Sequence, residues 1–254
     1  MSAGDWREWD APTYDRVADP MTRWGTRVLD RLPLTGTETV LDVGCGTGRV
    51  TELLLERLPE GRVIALDSST AMLAVAAERL AVHGGRVKLL GADVLDLDPG
   101  ALAGWAPVDA VLSTATFHWV LDHGRLFEVL AAVMAPGAPL VAQCGAAGNI
   151  EGLMAAVRAT GQERTGAWHY ATPEQTRARL AAAGFVDVEV WTHPEPTRIE
   201  PRAELETYLE TVCLRTHVTS LPEGERGAFV AAVADAMPEP VIDYVRLNIV
   251  ARRG

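Results

Sequence analysis

The sequence predicts an α/β protein built on a doubly wound sheet, and three observations lead to this fold class. Short runs rich in apolar and β-branched residues alternate with amphipathic helical stretches along the chain. Three alternate glycines, Gly44, Gly46 and Gly48, separate the first of these runs from the first helical stretch. An acidic residue lies at or near the end of each of the first three predicted strands. These features together describe the first half of a nucleotide-type pocket in a doubly wound fold.

The first predicted strand covers residues 40–43, and the first helix begins at Arg49. Glycine in the turn between them permits a positive φ and lets a ligand approach the backbone, while the helix start offers unpaired N–H groups. A dinucleotide site would have its third glycine at position 49, but here that glycine is Gly48. The acid before the turn, Asp42, would repel a pyrophosphate and attract an ammonium group, directly or through water. The turn therefore favours S-adenosylmethionine, which carries an ammonium and a sulfonium, over a dinucleotide.

The second predicted strand, residues 62–67, ends in an acid that has a clear partner on such a ligand. Asp67 can accept two hydrogen bonds from ribose hydroxyls, as acids at this position do in dinucleotide enzymes. Ser68, Ser69 and Thr70 follow and are predicted to cap the next helix. We also expect Ser68 to contact the cofactor.

The third predicted strand, residues 87–90, leads to Asp93, which is placed to accept a hydrogen bond from an adenine amino group. Val94 and Met72 are predicted to flank the adenine ring. Simpler interpretations stay open: Asp42 could cap a helix, Asp93 could be a turn residue, and Met72 could belong to the core. Three acids with three different partners on one ligand nevertheless form a more specific signal than any one of them.

The rest of the chain continues the alternation of strands and helices. Further strands are predicted at 108–113, 139–143, 186–191 and 242–251. Helices are predicted at 126–134 and 150–160, from a cap at Thr172 with Pro173 in the first turn, and as two helices within 202–236 broken at 221–224. Ser113, at the end of the fourth strand, is a further candidate for cofactor contact.

The cofactor segments resemble those of the class I S-adenosylmethionine-dependent methyltransferases. The matching segments are residues 40–48, 64–69 and 91–94, and the match covers roughly residues 35–145. Within this superfamily the chain is similar to the trans-aconitate methyltransferase group and its malonyl-carrier-protein relatives. That second similarity is carried by residues 13–16, 117–120 and 244–251 and does not transfer the identity of the substrate.

The resemblance implies a Rossmann-like, seven-stranded sheet with an antiparallel last strand and a helical lid insertion. It divides the chain into an N-terminal helical flap (1–35), a cofactor-binding core (36–145) and the rest of the sheet (146–254), with lid segments at about 150–165 and 202–236. The flap of the family closes over the cofactor, so Tyr14 is a candidate contact. The implied cofactor is S-adenosylmethionine, with S-adenosylhomocysteine as product.

Methyl transfer needs the acceptor, methyl group and sulfur in line, with water excluded. A carboxylate acceptor needs no base, whereas a hydroxyl does, and histidine is the usual base. His118, a few residues after the fourth strand, is the catalytic candidate, although it could merely make local hydrogen bonds or line the pocket; His169 and His217 are weaker candidates. A carboxylate acceptor would suit the planar fork of an arginine, and four are possible: Arg23, Arg164, Arg215 and Arg246.

Composition places limits on the partners. The 254 residues carry a net charge of −11, from 23 basic and 34 acidic side chains, which argues against nucleic acid. The three cysteines have no metal spacing and indicate reduced thiols, hence a cytoplasmic protein, and neither a signal peptide nor a membrane span is predicted. We expect a small-molecule substrate and no metal; the sequence leaves the oligomeric state open.

Three functional hypotheses follow. The first is a methyltransferase acting on a small molecule, most simply by O-methylation of a carboxylate or a hydroxyl. The second is a cofactor-binding fold that does not methylate and serves as a cyclase or regulator. The third, an NAD-dependent oxidoreductase, is disfavoured by the glycine spacing and by Asp42.

Overall fold

A mixed seven-stranded sheet organises the chain in a computed structural model that describes residues 9–162 and 168–254. In chain order, the strands are β1 (Thr39–Val43), β2 (Arg62–Asp67), β3 (Val87–Gly91), β4 (Ala110–Thr114), β5 (Pro139–Gly145), β6 (Phe185–Pro194), β7 (Thr197–Arg198), β8 (Val241–Ile242) and β9 (Val245–Arg253). The sheet order is β3-β2-β1-β4-β5-β9-β6, and β7 pairs with β8 in a separate ribbon. Strands β1 to β5 are parallel, and β9 is antiparallel to both β5 and β6. The predicted doubly wound, Rossmann-like sheet with an antiparallel last strand is confirmed.

Helices connect the strands and cover both faces of the sheet. They are α1 (Ala11–Val17), α2 (Asp19–Leu29), α3 (Arg49–Glu56), α4 (Thr70–Leu80), α5 (His123–Val133), α6 (Glu151–Ala159), α7 (Pro173–Ala182), α8 (Arg202–Tyr208), α9 (Arg215–Ser220) and α10 (Glu223–Ala236). Shorter 3₁₀ turns lie at Ala81–Arg86, Val94–Asp96 and Phe117–Trp119, and a π-helical turn lies at Leu209–Cys213.

Alternation of side chains along β1 explains how the sheet is packed on both sides. Leu41 and Val43 face a cluster that includes residues of α5 and α7, whereas Val40 faces the opposite cluster with α2, α3 and α4. All five residues of β1 are buried. A strand buried on both faces reads as a continuous apolar run, which is why the sequence showed its position clearly.

The predicted helix caps are present. Ser69 accepts a hydrogen bond from the Met72 N–H at 3.2 Å and begins α4. Thr172 and Gln175 form a reciprocal capping box at the start of α7, with Pro173 in its first turn. Such caps satisfy backbone N–H groups that would otherwise lack partners.

Two predicted elements differ from the structure. The strand expected from Ile242 begins at Val245 instead, because Ile242 pairs with Thr197 of β7 and the chain turns through Tyr244. The segment 202–236 does break at Leu221–Pro222, but its first half is divided again by the π-helical turn. No proline or glycine lies in residues 202–220, so the sequence carried no signal for that second break.

A third hydrophobic cluster lies beyond the sheet, among helices α6, α8, α9 and α10, which we call the helical layer. Leu153 and Val157 of α6 and Val230 and Val233 of α10 belong to this cluster, together with Trp24 of α2. The predicted lid segments 150–165 and 202–236 coincide with this layer, apart from residues 163–165, which lie outside the described residues. None of the described helices is long and apolar enough to span a bilayer.

Candidate active site

A cavity of about 360 Å³, the first cavity, opens at the carboxyl ends of four neighbouring parallel strands. Each strand end supplies part of the cavity lining: Val43 and Gly44 at the end of β1, Asp67 and Ser68 at the end of β2, Ala92 to Leu95 after β3, and Thr114 to Thr116 at the end of β4. The chain order of the strands reverses at β1 and β4, which is where ligands bind in open α/β sheets.

The glycine turn after β1 lies against this cavity with its backbone exposed. Gly44 has φ +74°, and a Cβ there would lie 2.0 Å from the Thr116 Oγ1. Gly46 has φ +55°, and a Cβ there would meet no atom within 4 Å. Glycine at position 44 is therefore required by packing and conformation, whereas at position 46 it is favoured by the positive φ and leaves open space for a ligand.

Asp67 is held rigidly at the edge of the first cavity. One carboxylate oxygen accepts a hydrogen bond from the Gly46 N–H at 2.9 Å, and the other accepts from the Ser69 N–H at 2.9 Å. Ser68, between them, is exposed and lines the cavity. The carboxylate thus links the glycine turn to the start of α4 and presents a fixed acceptor to a ligand.

Asp93, Val94 and Met72 also line the first cavity. Val94 and Met72 are 7% and 3% exposed and give the cavity an apolar wall. The Asp93 carboxylate accepts a hydrogen bond from the Leu95 N–H at 3.0 Å, so the side chain does cap the turn Val94–Asp96. The turn role and the ligand role are compatible, because a carboxylate has about four acceptor positions.

Three predicted cofactor residues, Asp42, Gly48 and Ser113, do not line the cavity. Ser113 is fully buried, and its hydroxyl donates to the Val43 carbonyl at 2.8 Å, joining β4 to β1. Gly48 has φ +81° and packs near Leu80 of α4. These residues contribute to the shape of the turn and the sheet rather than to the cavity surface.

Asp42 lies behind the turn, 1% exposed. The Thr51 hydroxyl donates to its Oδ2 at 2.6 Å, while Oδ1 is buried without a hydrogen-bond partner. Burial, opposed by the Thr51 hydrogen bond and reinforced by the charge of Asp67, raises the pKa of Asp42 to about 7. Buried polar atoms are rarely left unpaired, so Oδ1 is placed to receive a donor from a ligand or a bridging water.

Tyr14 of α1 lies between the first cavity and a smaller one. Its ring is 5.4 Å from the ring of Trp9, and both residues line the two cavities. Burial raises the pKa of Tyr14 to about 12, with a further upward effect from Asp67 and a downward effect from Arg246. The Tyr14 hydroxyl therefore stays protonated. It is close enough to Asp67 of the first cavity and to Arg246 of the second for both charges to affect its pKa.

The second cavity, of about 60 Å³, shares Trp9, Tyr14, Ala115 and Trp119 with the first. His118 lines the second cavity rather than the first. Its Nδ1 accepts a hydrogen bond from the Gly145 N–H at 3.4 Å, and its ring stacks on Tyr170 at 5.8 Å.

The charge state of His118 follows from its surroundings. Burial lowers the pKa of His118 well below its ordinary value, and the charge of Arg246 acts in the same direction. The imidazole is therefore neutral at physiological pH and is a weak base.

Arg246 of β9 is the charged side chain of the second cavity. It is 3% exposed, its Nε donates to the Gln143 amide oxygen at 3.3 Å, and its guanidinium lies 4.7 Å from the Trp24 ring. Burial lowers its pKa, although an arginine remains charged. Among the described residues, no carboxylate forms an ion pair with it. Buried cations in proteins are normally paired with an acid, so Arg246 is a candidate to bind an anionic group.

The other candidates from the sequence are not among the described residues that line either cavity. Arg23 is exposed, His169 contacts Arg179 at 2.9 Å, and His217 stacks on Phe229 at 6.2 Å. Arg215 places its guanidinium 5.3 Å from the Trp9 ring but is not part of the described lining. Arg164 lies outside the described residues.

Sequence reasoning missed much of the second cavity. Asn149, Ile150, Tyr170, Val212 and Cys213 line it, although they lie far apart in the chain. Their sequence context gives no signal; Ile150, for example, adopts φ +53° without being glycine. Tyr244 and Trp24 could have been found as aromatic residues next to predicted elements. In residues 9–162 and 168–254, no cluster of three acidic, histidine or cysteine side chains could hold a metal ion.

The site fits S-adenosylmethionine on its own evidence. The site offers open backbone at Gly46, a fixed acceptor at Asp67, apolar walls at Met72 and Val94 and an unpartnered acceptor at Asp42 Oδ1, which could hold a molecule with an ammonium group, a ribose and an adenine. A purely structural explanation of the three acids would leave the cavity and the orphan oxygen unaccounted for.

Comparisons with known proteins agree. A family model described as a methyltransferase domain matches residues 40–137. Curated trans-aconitate 2-methyltransferases from Azoarcus sp. (strain BH72) and Acidovorax sp. (strain JS42) are each 30% identical to the chain. The first alignment covers 94% of both chains, and the second covers 97% of this chain and 99% of the relative.

Solved structures show the same fold at lower identity. The Haemonchus contortus phosphoethanolamine N-methyltransferase 2, in complex with S-adenosylhomocysteine, superposes with a TM-score of 0.62 at 19% identity, covering 95% of this chain and 56% of that one. The [4+2]-cyclase SpnF superposes with a TM-score of 0.59 at 21% identity, covering 91% of this chain and 80% of that one. The chain therefore belongs to the class I S-adenosylmethionine-dependent methyltransferases, in the group of the trans-aconitate 2-methyltransferases, and its cofactor is S-adenosylmethionine.

Proposed function

We propose that this protein transfers a methyl group from S-adenosylmethionine to a carboxylate oxygen of a small acid held by Arg246. One observation carries the proposal: a buried guanidinium with no acidic partner among the described residues lies in the cavity next to the cofactor cavity. A guanidinium binds a carboxylate in two places and leaves its lone pairs oriented. Relatives named for trans-aconitate, a carboxylic acid, support the same type of acceptor.

The residues of the first cavity are assigned to the cofactor. Asp67 accepts from the ribose hydroxyls, Asp93 accepts from the adenine amino group, and Met72 and Val94 contact the ring. Asp42 attracts the ammonium group through a bridging water, because its side chain does not reach the cavity surface. Bound S-adenosylmethionine supplies a methyl group activated by a positively charged sulfur.

Tyr14 connects the two halves of the site. It lines both cavities, and both Asp67 and Arg246 influence its pKa. A carboxylate on Arg246 would therefore lie beside the residue that faces the cofactor. Tyr14 and Trp119 exclude water from the junction, so that the acceptor oxygen and the methyl group can approach in line.

A carboxylate acceptor fits the electrostatics better than a hydroxyl. A carboxylate is already ionised, whereas a hydroxyl needs a base near the operating pH. His118 is the basic group of the second cavity, and its lowered pKa makes it a poor base. We therefore assign His118 to positioning: it accepts from the Gly145 N–H and stacks on Tyr170.

The test uses S-adenosylmethionine labelled in the methyl group together with small carboxylic acids. We expect labelled products that release methanol in mild alkali, because esters hydrolyse there and ethers do not. Arg246→Lys keeps the charge but loses the fork, and should raise the acceptor KM at least about tenfold with unchanged affinity for S-adenosylhomocysteine.

Arg252→Gln is the matched control, since Arg252 is an exposed arginine of the same strand, and its acceptor KM should not change. Alkali-stable products would show a hydroxyl or nitrogen acceptor instead. Tight S-adenosylhomocysteine binding without transfer to any acceptor class would favour the non-methylating alternative, a cyclase or a regulator.

A further inference from the structure

We infer that the acceptor of this protein is a flat, unsaturated acid with a single carboxylate, rather than a polycarboxylate. This inference rests on the proposed carboxylate methylation and adds the class of acid. Two independent properties of the second cavity carry it: the count of its charges and the nature of its walls.

The charged side chains that line the second cavity can pair with one carboxylate. Arg246 is the one charged side chain in the described lining of the second cavity. The described lining of the first cavity adds the acids Asp67, Asp93 and Asp122. Within the described lining of the second cavity, a second carboxylate on the acceptor would lose its hydration without gaining a cation, which is unfavourable. The described lining of the first cavity therefore supplies no second cation either.

The walls of the second cavity are largely aromatic. Trp and Tyr account for seven of its 15 described lining residues. Trp119 and Trp168 stand edge to face, with ring centroids 5.9 Å apart at 87°. Tyr170 is tilted by 34° from Trp168 at the same centroid distance and stacks on His118. Such walls present both ring faces and ring edges, which suit a planar π system better than a puckered aliphatic body.

The position of Arg246 relative to these rings gives the orientation of the acceptor in the second cavity. Its guanidinium lies over Trp24 at 4.7 Å and near Tyr244 at 5.9 Å. The carboxylate is then held at the Trp24 and Tyr244 end, beside Tyr14, and the flat body lies against Trp168 and Tyr170. Gly145 permits this arrangement, since a Cβ there would lie 2.6 Å from the Tyr170 ring.

The experiment compares acids that differ in one property at a time. Benzoate and trans-cinnamate are paired with their saturated-ring counterparts, cyclohexanecarboxylate and 3-cyclohexylpropanoate, and trans-aconitate supplies additional carboxylates. Alkali-labile methyl transfer is measured for each. We expect at least one flat acid to exceed its counterpart in kcat/KM by about tenfold. We expect the same acid to exceed trans-aconitate by about a hundredfold.

The outcomes separate this inference from the proposed function. Preference for trans-aconitate, or equal use of each flat acid and its saturated counterpart, would overturn the inference and leave carboxylate methylation standing. Transfer to none of the acids, by a protein that binds S-adenosylhomocysteine, would overturn both.

A pair of variants tests the aromatic wall directly. Trp168 lines only the second cavity, so Trp168→Leu should bring the flat-to-saturated ratio close to one without changing the affinity for S-adenosylhomocysteine. Trp191→Leu is the matched control, because Trp191 is 36% exposed on β6 and lines neither cavity. An unchanged ratio in Trp168→Leu would show that the wall does not select the acceptor.

Discussion

Asp15 of α1 forms an ion pair with Arg79 of α4, in which the Arg79 Nη2 lies 3.0 and 2.9 Å from the two carboxylate oxygens. The same carboxylate accepts from the Thr47 hydroxyl at 2.6 Å and from the Arg49 Nε at 2.9 Å. Arg79 also donates to the Thr47 carbonyl. The helix that carries Tyr14 is therefore fastened to the glycine turn and to the wall of the first cavity.

This connection predicts that Asp15→Asn weakens cofactor binding without touching the cofactor. The two arginines lose their common anion, so the segment with Tyr14 and Trp9 closes less firmly over the first cavity. We expect the calorimetric Kd for S-adenosylhomocysteine to rise about two- to fivefold, as for partly exposed ion pairs.

The control for this prediction is Asp30→Asn. Asp30 pairs with Arg57 at 2.6 Å, and the two side chains are 57% and 38% exposed. An equal rise in Kd for both variants would mean that the Asp15 network only adds general stability. Burial alone would raise the pKa of Asp15, but hydrogen bonds from Arg49 and Thr47 outweigh it and lower the pKa. The connection is thus complete at neutral pH and is lost as the pH falls through that lowered pKa.

Asp67 gives the second prediction. Asp67→Ala removes the proposed ribose acceptor, and we expect the free energy of S-adenosylhomocysteine binding to weaken by about 1–3 kcal/mol. Because Asp67 also accepts from the Gly46 and Ser69 N–H groups, some loss could come from disorder of the turn. Ser69→Ala controls for this effect, since it removes the α4 cap but no cavity residue. If both variants lost the same affinity, the ribose assignment would be wrong.

The cofactor half of the site could be predicted because its signals are local. Asp67 ends one strand and Asp93 follows another, both strands are located by apolar runs, and parallel strands bring their carboxyl ends to one edge of the sheet. Asp42 and Ser113 show the limit of that reasoning. Sequence position places them near the turn, but it does not show that their side chains are buried in the sheet and do not line the cavity.

The acceptor half depends on tertiary structure. Trp24, Ile150, Tyr170 and Arg246 meet because α2, the helical layer and β9 pack together. The sequence offered four arginines without ranking them. A charged residue inside the apolar run of β9 was the available sign that Arg246 would be buried, and burial is what distinguishes it from the exposed Arg23.

The raised pKa of Asp42 predicts that cofactor binding depends on pH. Its pKa of about 7 means that the buried carboxyl is largely protonated at pH 6 in the free protein. An ammonium group nearby would favour the ionised form, so binding S-adenosylhomocysteine should release protons near pH 6, and affinity should rise between pH 5 and 7. Calorimetry in two buffers of different ionisation enthalpy measures the protons released.

Asp42→Asn should abolish this proton release, and its persistence would assign the proton to another group. Asp42 and Asp15 make the free energy of unfolding depend on pH in opposite directions, because the pKa of Asp42 is raised and that of Asp15 is lowered. A raised folded-state pKa means that the contribution of Asp42 is fully present below its unfolded value and is lost as the pH rises towards 7. The ligand-free Asn variant should therefore gain stability relative to the unsubstituted protein between pH 5 and 8, as measured by thermal unfolding.

His118 gives the last prediction, because substituting it distinguishes a general base from a positioning residue. Its pKa is lowered by burial and by Arg246, so a rate that depended on its deprotonation would show no inflection between pH 6 and 8. His118→Gln retains an acceptor for the Gly145 N–H. With a carboxylate acceptor we expect kcat within about threefold of the unsubstituted protein, whereas loss of a general base costs about a hundredfold or more. His83→Gln, on the turn Ala81–Arg86 and outside both cavities, is the control. A hundredfold loss confined to His118→Gln would show that a proton must be removed from the acceptor, and would replace the carboxylate with a hydroxyl.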